Sequence, residues 1–419
     1  MATTTGASTP ENSTPTSRFP PIFRALRHRN YRLFFVGQLI SLTGTWMQSI
    51  AQGWLVLRLS DSPAMLGLVA AAASLPVLLL SLPAGALTDR VSKHRLLLVS
   101  QVVAMVLAAV LAGLTLTERI EVWHVVVLAT LLGVVTAFEG PARQAFTVEM
   151  VGREDLLNAI ALNSSIFNAA RTVGPAVAGV VVALIGEGLA FAMNAASFVF
   201  VIASLLLMRL SPFRPPSGVQ RRGQLREGLR YIQNEPRVRA LLIQAAAISL
   251  FCFAYIPLLP VFARDILHVG ASGLGMLSAV SGLGALTAAL MLAQFGDALP
   301  RGRLVRLAAL LQPGLLIAFS ASRWLPLSLL LIGIVGWAGV TTMALTNTLI
   351  QAIVPDRLRG RVMSVFTLLL MGLSPMSGML VGGLAQVVGS VPLVVAGSAL
   401  TGWLIVATLA VRAPFLRAL

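Results

Sequence analysis

The chain has 419 residues, of which 57% are hydrophobic and only 11% are charged. Soluble domains average about 25% charged residues, so this composition excludes an ordinary soluble protein. The net charge of +16 could suit nucleic acid, but the basic residues are scattered between long apolar runs. We therefore expect the positive charge to face anionic lipid head groups, and no nucleic acid to bind.

Residues 1–20 are rich in Ser, Thr and Pro and contain no apolar run. This composition predicts a disordered tail on the cytoplasmic side and not a cleaved signal peptide. Cys252 is the only cysteine, which excludes an internal disulfide and a cysteine-based metal site. The four histidines are far apart in sequence, so we expect neither a metal nor a cofactor.

The apolar runs after the tail are about 20 residues or longer, which is enough for an α-helix to cross a hydrocarbon core roughly 30 Å thick. Their spacing predicts an all-α membrane protein with twelve transmembrane helices. The predicted ranges are 33–57, 63–87, 96–116, 123–142, 159–185, 189–208, 240–263, 272–296, 304–322, 325–350, 362–387 and 391–411.

The Lys and Arg residues are divided very unequally between the two sides of these predicted helices. Of the 31 basic residues, 26 lie in segments on the side of the amino terminus, 4 lie in the opposite loops, and Arg171 lies within a helix. Basic residues are enriched in cytoplasmic loops, so the pattern predicts that both termini are cytoplasmic.

A basic linker at 210–239 is the longest internal loop, and residues from 224 to 233 predict a short surface helix within it. It divides the chain into two six-helix halves, 21–209 and 240–419. Three residue pairs recur in both halves at nearly the same spacing, which indicates a duplicated unit. The pairs are Gly67 and Gly275, Asp89 and Asp297, and Gly174-Pro175 and Ser374-Pro375.

The loop at 85–95 reads GALTDRVSKHR and concentrates charge between predicted helices 2 and 3. With the two six-helix halves, it resembles the major facilitator superfamily, whose loop signature is G-x-L-x-D-R-x-G-[RK]-[RK]. The matching residues are Gly85, Leu87, Asp89, Arg90 and Lys93, and Ser92 replaces the usual Gly. The resemblance implies that Asp89 contacts the start of helix 11 and gates a conformational switch. The alternative is a solvated turn that only sets topology.

Two further stretches resemble the bacterial branch of this superfamily that includes the enterobactin exporter and multidrug efflux proteins. They are FEGPARQAFTVEMVGREDLLNAIALNSSIFNAARTVGPAVAG at 138–179 and VPDRLRGRVMS at 354–364. We assign Arg359, Gly360 and Arg361 of the second stretch to the gating motif.

The resemblance implies a secondary active transporter that exports small amphipathic molecules by alternating access with proton antiport. The implied substrates are drugs, siderophores or related metabolites, and the implied setting is the bacterial cytoplasmic membrane, where the protein acts as a monomer among lipids. No Walker lysine motif is present to bind ATP. Uptake or lipid flipping by the same fold remains open, and so does a non-transporting sensor of this fold, whereas the single carboxylate in the predicted helices argues against a membrane enzyme.

Gly174 and Pro175 in helix 5, and Pro375 in helix 11, are candidates for helix bends because proline cannot donate a backbone hydrogen bond. GPAVAG also resembles the antiporter signature of drug exporters. The alternative is that glycine and proline are ordinary residues of membrane helices.

Arg171 is predicted to lie near mid-membrane, where an arginine is costly unless it faces a partner or a cavity. Glu139 is the only carboxylate within a predicted helix and has two possible partners, Arg143 and Arg171. One hypothesis is that Glu139 carries the coupling proton and Arg171 controls its affinity. The alternative is a fixed ion pair between helices 4 and 5.

Seven further polar side chains within the predicted helices are candidates for a substrate cavity, although each also suits helix packing. They are Gln38, Gln48, Gln52, Asn168, Gln244, Tyr255 and Asn347. Trp46 and Trp54 are candidates for stacking on an aromatic substrate.

Overall fold

A computed structural model describes residues 21–88, 90–209, 225–295, 298 and 300–412. All regular structure within these residues is helical, which confirms the predicted fold class. We number the long helices α1 to α12. They are α1 Arg29–Ser60, α2 Pro63–Thr88, α3 Lys93–Leu116, α4 Val122–Val151, α5 156–185, α6 187–206, α7 Pro236–Ile266, α8 Gly270–Phe295, α9 Arg301–Ala321, α10 Leu325–Ile353, α11 Asp356–Val388 and α12 Val391–Arg412.

Helices α5 and α6 follow one another without an intervening loop and are separated by Gly186, whose φ is +84°. The chain reverses there, as the contacts of α1 show. Near one end of α1, the Tyr31 hydroxyl donates to the carbonyl of Ala159, and Arg29 donates to the carbonyl of Leu207. Residues before and after Gly186 therefore return to the same end of α1.

Ten described segments are long and apolar enough to cross a membrane. That count takes α5 and α6 as one segment and omits α1, which carries more polar residues. When that segment is divided at Gly186 and α1 is added, the count becomes twelve, which agrees with the number of predicted helices. The predicted range 123–142 ends short of the observed end of α4 at Val151, because the helix continues through Pro141. Neighbouring helices can accommodate the backbone carbonyl that such a proline leaves free.

The helix ends define two faces of the bundle. We call the face that carries residues 21–28 and Arg412 the proximal end, and the opposite face, which carries the turns at Asp61 and Gly186, the distal end. Twelve passes place both described termini on the proximal face.

Glycines bring the two halves into backbone contact near the distal end. A Cβ on Gly67 of α2 would collide with the carbonyl of Gly378 in α11, and a Cβ on Gly275 of α8 would lie 2.6 Å from the Cα of Gly179 in α5. Only glycine allows helices to approach so closely. The pairs α2–α11 and α5–α8 are therefore tightly packed at this end.

The same helices separate toward the proximal end. Contact between α2 and α11 extends as far as Leu78, which would lie 3.2 Å from a Cβ on Gly372. Nearer the proximal end, Gly85 and Gly360 have open space around the position of a Cβ. The described contacts between the halves thus lie toward the distal end, which agrees with a V that is closed distally and open proximally.

Helix α7 closes part of the distal end. It is interrupted between Cys252 and Tyr255 and ends in a π-helical turn, Phe262–Ile266. In its distal part, Pro257 packs on Gly378 of α11 and Pro260 packs on Gly53 of α1. The interruption therefore lets one helix of the second half cover the first half.

Asp155, in the turn before α5, fastens the amino-terminal segment to the bundle. Its carboxylate is 1% exposed and lies 2.5 Å from Nε of Arg24, 2.9 Å from Arg27 and 2.7 Å from Nε2 of His28. Burial raises the pKa of Asp155, but the hydrogen bond from His28 and the charges of Arg24 and Arg27 outweigh burial and lower that pKa below its ordinary value.

A short helix, Leu225–Asn234, follows the undescribed residues 210–224 and agrees with the predicted surface helix. Its Glu227 pairs with Arg361 and lies 3.8 Å from Arg357, both in the first turns of α11. The predicted boundaries of the two halves and the linker remain a prediction, and the predicted disordered tail, 1–20, lies outside the described residues.

Neighbouring glycines of α11 allow a test of the distal packing. A Cβ on Gly382 would lie 2.6 Å from the carbonyl of Pro63, whereas Gly383 has open space. Overpacking destabilises a contact by about 1–3 kcal/mol, so Gly382→Ala should speed maleimide labelling of Leu66→Cys about fivefold or more. Leu66 is 3% exposed, and the native Cys252 is buried. Gly383→Ala is the control, and equal labelling rates in the two variants would contradict the tight packing.

Hydrogen exchange tests the role of Asp155. Asp155→Asn should speed exchange of the amides of residues 21–28 about tenfold, because hydrogen bonds to a charged group are lost. Glu154→Gln, whose carboxylate is 83% exposed, is the control. Since the lowered pKa keeps Asp155 ionised, its stabilisation is present above the unfolded pKa of about 3.9 and is lost only as the pH falls through the lower folded pKa. Protection, corrected for intrinsic exchange, should therefore not fall between pH 8 and pH 5, and a loss by pH 5 would contradict this.

Candidate functional site

The space between the two halves is the candidate site, and Arg171 lies where it narrows. The carbonyl of Arg171 would lie 2.9 Å from a Cβ on Gly282, so α5 and α8 are still in contact at this level. One turn closer to the proximal end, Phe167 is 42% exposed, and Ser164 is also exposed. Arg171 therefore lies at the most proximal glycine contact that we describe between α5 and α8, next to an exposed stretch of α5.

The side chain of Arg171 is half-buried and makes no hydrogen bond or ion pair with any described residue. It interacts electrostatically with Tyr255, at the interruption of α7. The Tyr255 hydroxyl is buried and lies 3.5 Å from that of Ser281 in α8. Arg171 of α5 therefore has no counter-charge among the described residues and interacts with Tyr255 of α7, whose hydroxyl lies near Ser281 of α8.

Of the two partners predicted for Glu139, the structure contains Arg143. Their side chains approach to 3.5 Å one helical turn apart, with Glu139 19% exposed and Arg143 33% exposed. No ion pair joins Glu139 to Arg171 among the described residues. The three coupling candidates therefore divide into an ion pair within α4 and a separate arginine on α5.

The polar cavity candidates differ in environment. Gln48 is buried, and its amide oxygen accepts a 2.6 Å hydrogen bond from Asn194 of α6. In this conformation Gln48 therefore belongs to helix packing and not to the cavity surface. Gln38 and Gln244 are also buried, each with an amide nitrogen that lacks a partner among the described residues.

The remaining cavity candidates are more accessible. Gln52 and Asn347 are half-buried, and Asn347 accepts a hydrogen bond from Gln351. Asn168 is half-buried and donates to the carbonyl of Ser164, 2.8 Å away. The Trp46 and Phe167 rings lie 5.6 Å apart in a T-shaped contact, which joins α1 to α5.

The loop motif is only partly described. Asp89 lies outside the described residues, as does its repeat partner Asp297. Arg90 is exposed, and Lys93 forms a 2.8 Å ion pair with Glu149 at the end of α4. The described part of this loop is thus tied to its own half, and the predicted contact with α11 remains a prediction.

The charged start of α11 makes local contacts. Arg359 pairs with Asp356 at 2.6 Å and donates to the carbonyl of Gln351 at 3.1 Å, whereas Arg361 pairs with Glu227. All of these partners lie in the carboxyl-terminal half or the connecting helix. The open space around Gly360 agrees with the proximal separation of the halves.

The helical backbone continues through Pro175 and Pro375. Gly174 and Pro175 are buried, and a Cβ on Gly174 would lie 2.6 Å from the Cβ of Trp46. Gly174 therefore allows α5 to approach α1. The predicted bends at the two prolines remain a prediction.

Sequence reasoning missed the ionic contact that joins the halves at the distal end. Arg264 of α7 pairs with Asp61, just after α1, and also donates to the carbonyl of Leu57 at 3.3 Å. Nearby, the hydroxyl of Ser62 donates to the amide oxygen of Gln386 at 2.9 Å. Both charged residues occupy predicted loops on the same side of the membrane, and that is the only signal that the sequence offers.

Twelve helices in two halves that pack tightly at one end are typical of a membrane transporter. The transmembrane secretion effector family matches residues 20–418. The chain therefore belongs to this family of the major facilitator superfamily. It is a multi-pass secondary transporter and not an enzyme, as the sequence predicted.

Several characterised relatives support this assignment. The multidrug efflux pump Tap of Mycobacterium tuberculosis is 30% identical over 377 residues, which cover 85% of this chain and 87% of Tap. The staphyloferrin A transporter of Staphylococcus aureus is 28% identical over 62% of this chain and 66% of its own. The enterobactin exporter EntS of Citrobacter koseri is 21% identical over 81% of both chains.

Solved structures share the fold at low sequence identity. The nucleoside transporter NupG is 13% identical, with a TM-score of 0.68 over 92% of this chain and 98% of its own. A bacterial homologue of the lysosomal transporter Spinster, in an inward-facing and unoccupied conformation, is 16% identical, with a TM-score of 0.70 over 93% of this chain and 96% of its own.

The two acidic neighbours of Arg264 provide a matched pair of variants. Asp61→Asn removes the contact between the halves, whereas Asp265→Asn removes only a contact within α7. Because Asp61 is 80% exposed, we expect its loss to shift the closed distal end toward opening by about 1 kcal/mol or less.

Spin labels at Glu118 and Arg323, in distal turns of the two halves, can measure this shift by double electron–electron resonance. The longer distance should gain population in Asp61→Asn and not in Asp265→Asn, and high salt should reduce the difference. An equal effect of both variants would show that the contact does not hold the halves together.

Proposed function

We propose that this protein is a proton-coupled exporter of small amphipathic molecules, of the drug or siderophore class. It acts as a monomer in the bacterial cytoplasmic membrane with both termini in the cytoplasm. Substrates enter between the halves from the proximal side and leave on the distal side. No cofactor is required.

The V-shaped arrangement of the halves is the observation that carries this proposal. Tight glycine contacts close one end, and open space surrounds Gly85 and Gly360 at the other. Alternating access requires that closure at one end be exchanged for closure at the other. The exposed distal ion pair suits this exchange, because such pairs are weak enough to break.

The charge distribution supports the orientation. With 26 of 31 basic residues on the side of the amino terminus, the proximal end is cytoplasmic. The open cavity then faces the cytoplasm, from which an exporter must collect its substrate. The names of the relatives Tap and EntS support export, and those of EntS and the staphyloferrin A transporter support a siderophore-like substrate.

Glu139 is the proposed proton carrier, and Arg143 is its counter-ion in this conformation. Separation of the two side chains during the cycle would leave the carboxylate without its counter-ion, and a bound proton would then remove the unpaired charge. Arg171 forms no ion pair with Glu139 among the described residues, and in this proposal it acts separately, on the substrate. In this scheme the protein, after releasing its substrate, returns to the conformation that is open on the proximal side. Proton entry from the distal side drives this return.

Dye accumulation tests the function directly. Cells that express the protein should retain less of a fluorescent amphipathic dye than cells without it, and a protonophore should abolish the difference. Everted vesicles should accumulate the dye, which separates export from uptake. Dye retention that is unaffected by the protein, or accumulation only in intact cells, would contradict export.

Glu139→Gln tests the coupling role. We expect gradient-driven export to fall at least about tenfold, because the variant cannot exchange a proton. Exchange of dye across vesicles without a gradient should persist, since it needs no net proton movement. Glu154→Gln, which changes an exposed carboxylate just after the same helix, is the control, and full gradient dependence in Glu139→Gln would exclude Glu139 as the carrier.

A further inference from the structure

Arg171 carries a positive charge in the interior of the bundle. No described residue forms an ion pair with this charge. The Asp and Glu residues that the structure describes lie near one end of the bundle or the other, apart from Glu139. Glu139 is engaged by Arg143. An arginine near the membrane centre costs about 2.5–3.5 kcal/mol or more unless a partner or water compensates it.

The surroundings of Arg171 suit a ligand with both an anionic and an apolar part. The charge interacts electrostatically with Tyr255 and lies at the level where α5 and α8 are in contact at Gly282. One helical turn nearer the opening, Phe167 is exposed and its ring contacts that of Trp46. A flat apolar group can pack on this aromatic pair while its anionic group reaches the guanidinium.

This inference rests on the proposed export function and specifies its substrate. We propose that Arg171 binds the anionic group of the transported molecule, so that the protein selects organic anions with an apolar body. A carboxylate or sulfonate supplies the counter-charge, and the Tyr255 hydroxyl donates a second hydrogen bond. A cationic molecule meets an uncompensated positive charge and is excluded.

The same charge links substrate binding to the conformational change. While the cavity is open, water solvates Arg171. Closure of an empty cavity would remove this water and leave the charge unpaired, whereas a bound anion would neutralise it. An anionic substrate therefore favours the closed intermediate, and an empty cavity opposes it.

Three pyrene probes that differ in charge test the selectivity: pyrenebutyrate, pyrenebutanol and pyrenemethylammonium. Binding is measured on the full-length protein in nanodiscs by quenching of tryptophan fluorescence. We expect pyrenebutyrate to bind about tenfold more tightly than pyrenebutanol, which is the range for a hydrogen bond to a charged group, and pyrenemethylammonium to bind more weakly than either. Nanodiscs with and without phosphatidylglycerol distinguish a transported organic anion from an anionic lipid. Competition between this lipid and pyrenebutyrate would identify a lipid as the natural occupant.

Variants assign the selectivity to one residue. Arg171→Gln should weaken pyrenebutyrate binding about tenfold and leave pyrenebutanol unchanged, and Arg171→Lys should restore most of the preference. Arg153→Gln, which removes an exposed arginine from the proximal surface, is the control for net charge. Size-exclusion profiles establish that each variant is folded.

Equal affinities for the anionic and neutral probes, or equal losses of both in Arg171→Gln, would overturn the proposed anion site. The absence of binding by all three probes would overturn it as well. Dye export without a charge preference would remove the anion site and leave the proposed function intact. Selective binding without gradient-driven export would leave the site intact and remove that function.

Discussion

The closest approach of the two halves is set by backbone contact between glycines. Gly67 meets Gly378, and Gly275 meets Gly179, so that two pairs of helices touch without intervening side chains. In a lipid environment, helix association depends on packing and not on the hydrophobic effect, so this contact largely determines the closed end. The open end, the position of Arg171 and the accessible surface of the cavity all follow from it.

The same contacts explain how a few weak interactions can control a large rearrangement. Gly67 and Gly275 occupy corresponding positions in the duplicated sequence, and each packs against the other half. The distal end is therefore held by two similar interfaces, to which an exposed ion pair between Asp61 and Arg264 adds little. Because the two interfaces are similar, both can separate together when the opposite end closes.

Most of the fold could be predicted from the sequence, because membrane helices must satisfy their own backbone hydrogen bonds and must be long enough to span lipid. The turn at Gly186 was predicted, because the predicted ranges 159–185 and 189–208 divide there. The interruption of α7 near Tyr255 was not predicted, since it lies within an apolar run. The site was predicted less completely. Composition identified Arg171 and Glu139, but pairing depends on helix rotation, which the sequence does not contain. Gln48 was therefore a candidate both for the cavity and for helix packing, and the structure shows it packed on Asn194.

The central claim is that a polar cavity opens to the cytoplasm while its far end is closed. A cysteine at Asn168, inside the cavity, reports on this claim with a membrane-impermeant maleimide, because the native Cys252 is buried. Rapid labelling in everted vesicles, together with slow labelling in intact cells, is the predicted result, and a cysteine at Glu118 in a distal turn should behave in the opposite way. Labelling of the Asn168 cysteine from outside intact cells, with protection in everted vesicles, would contradict the account.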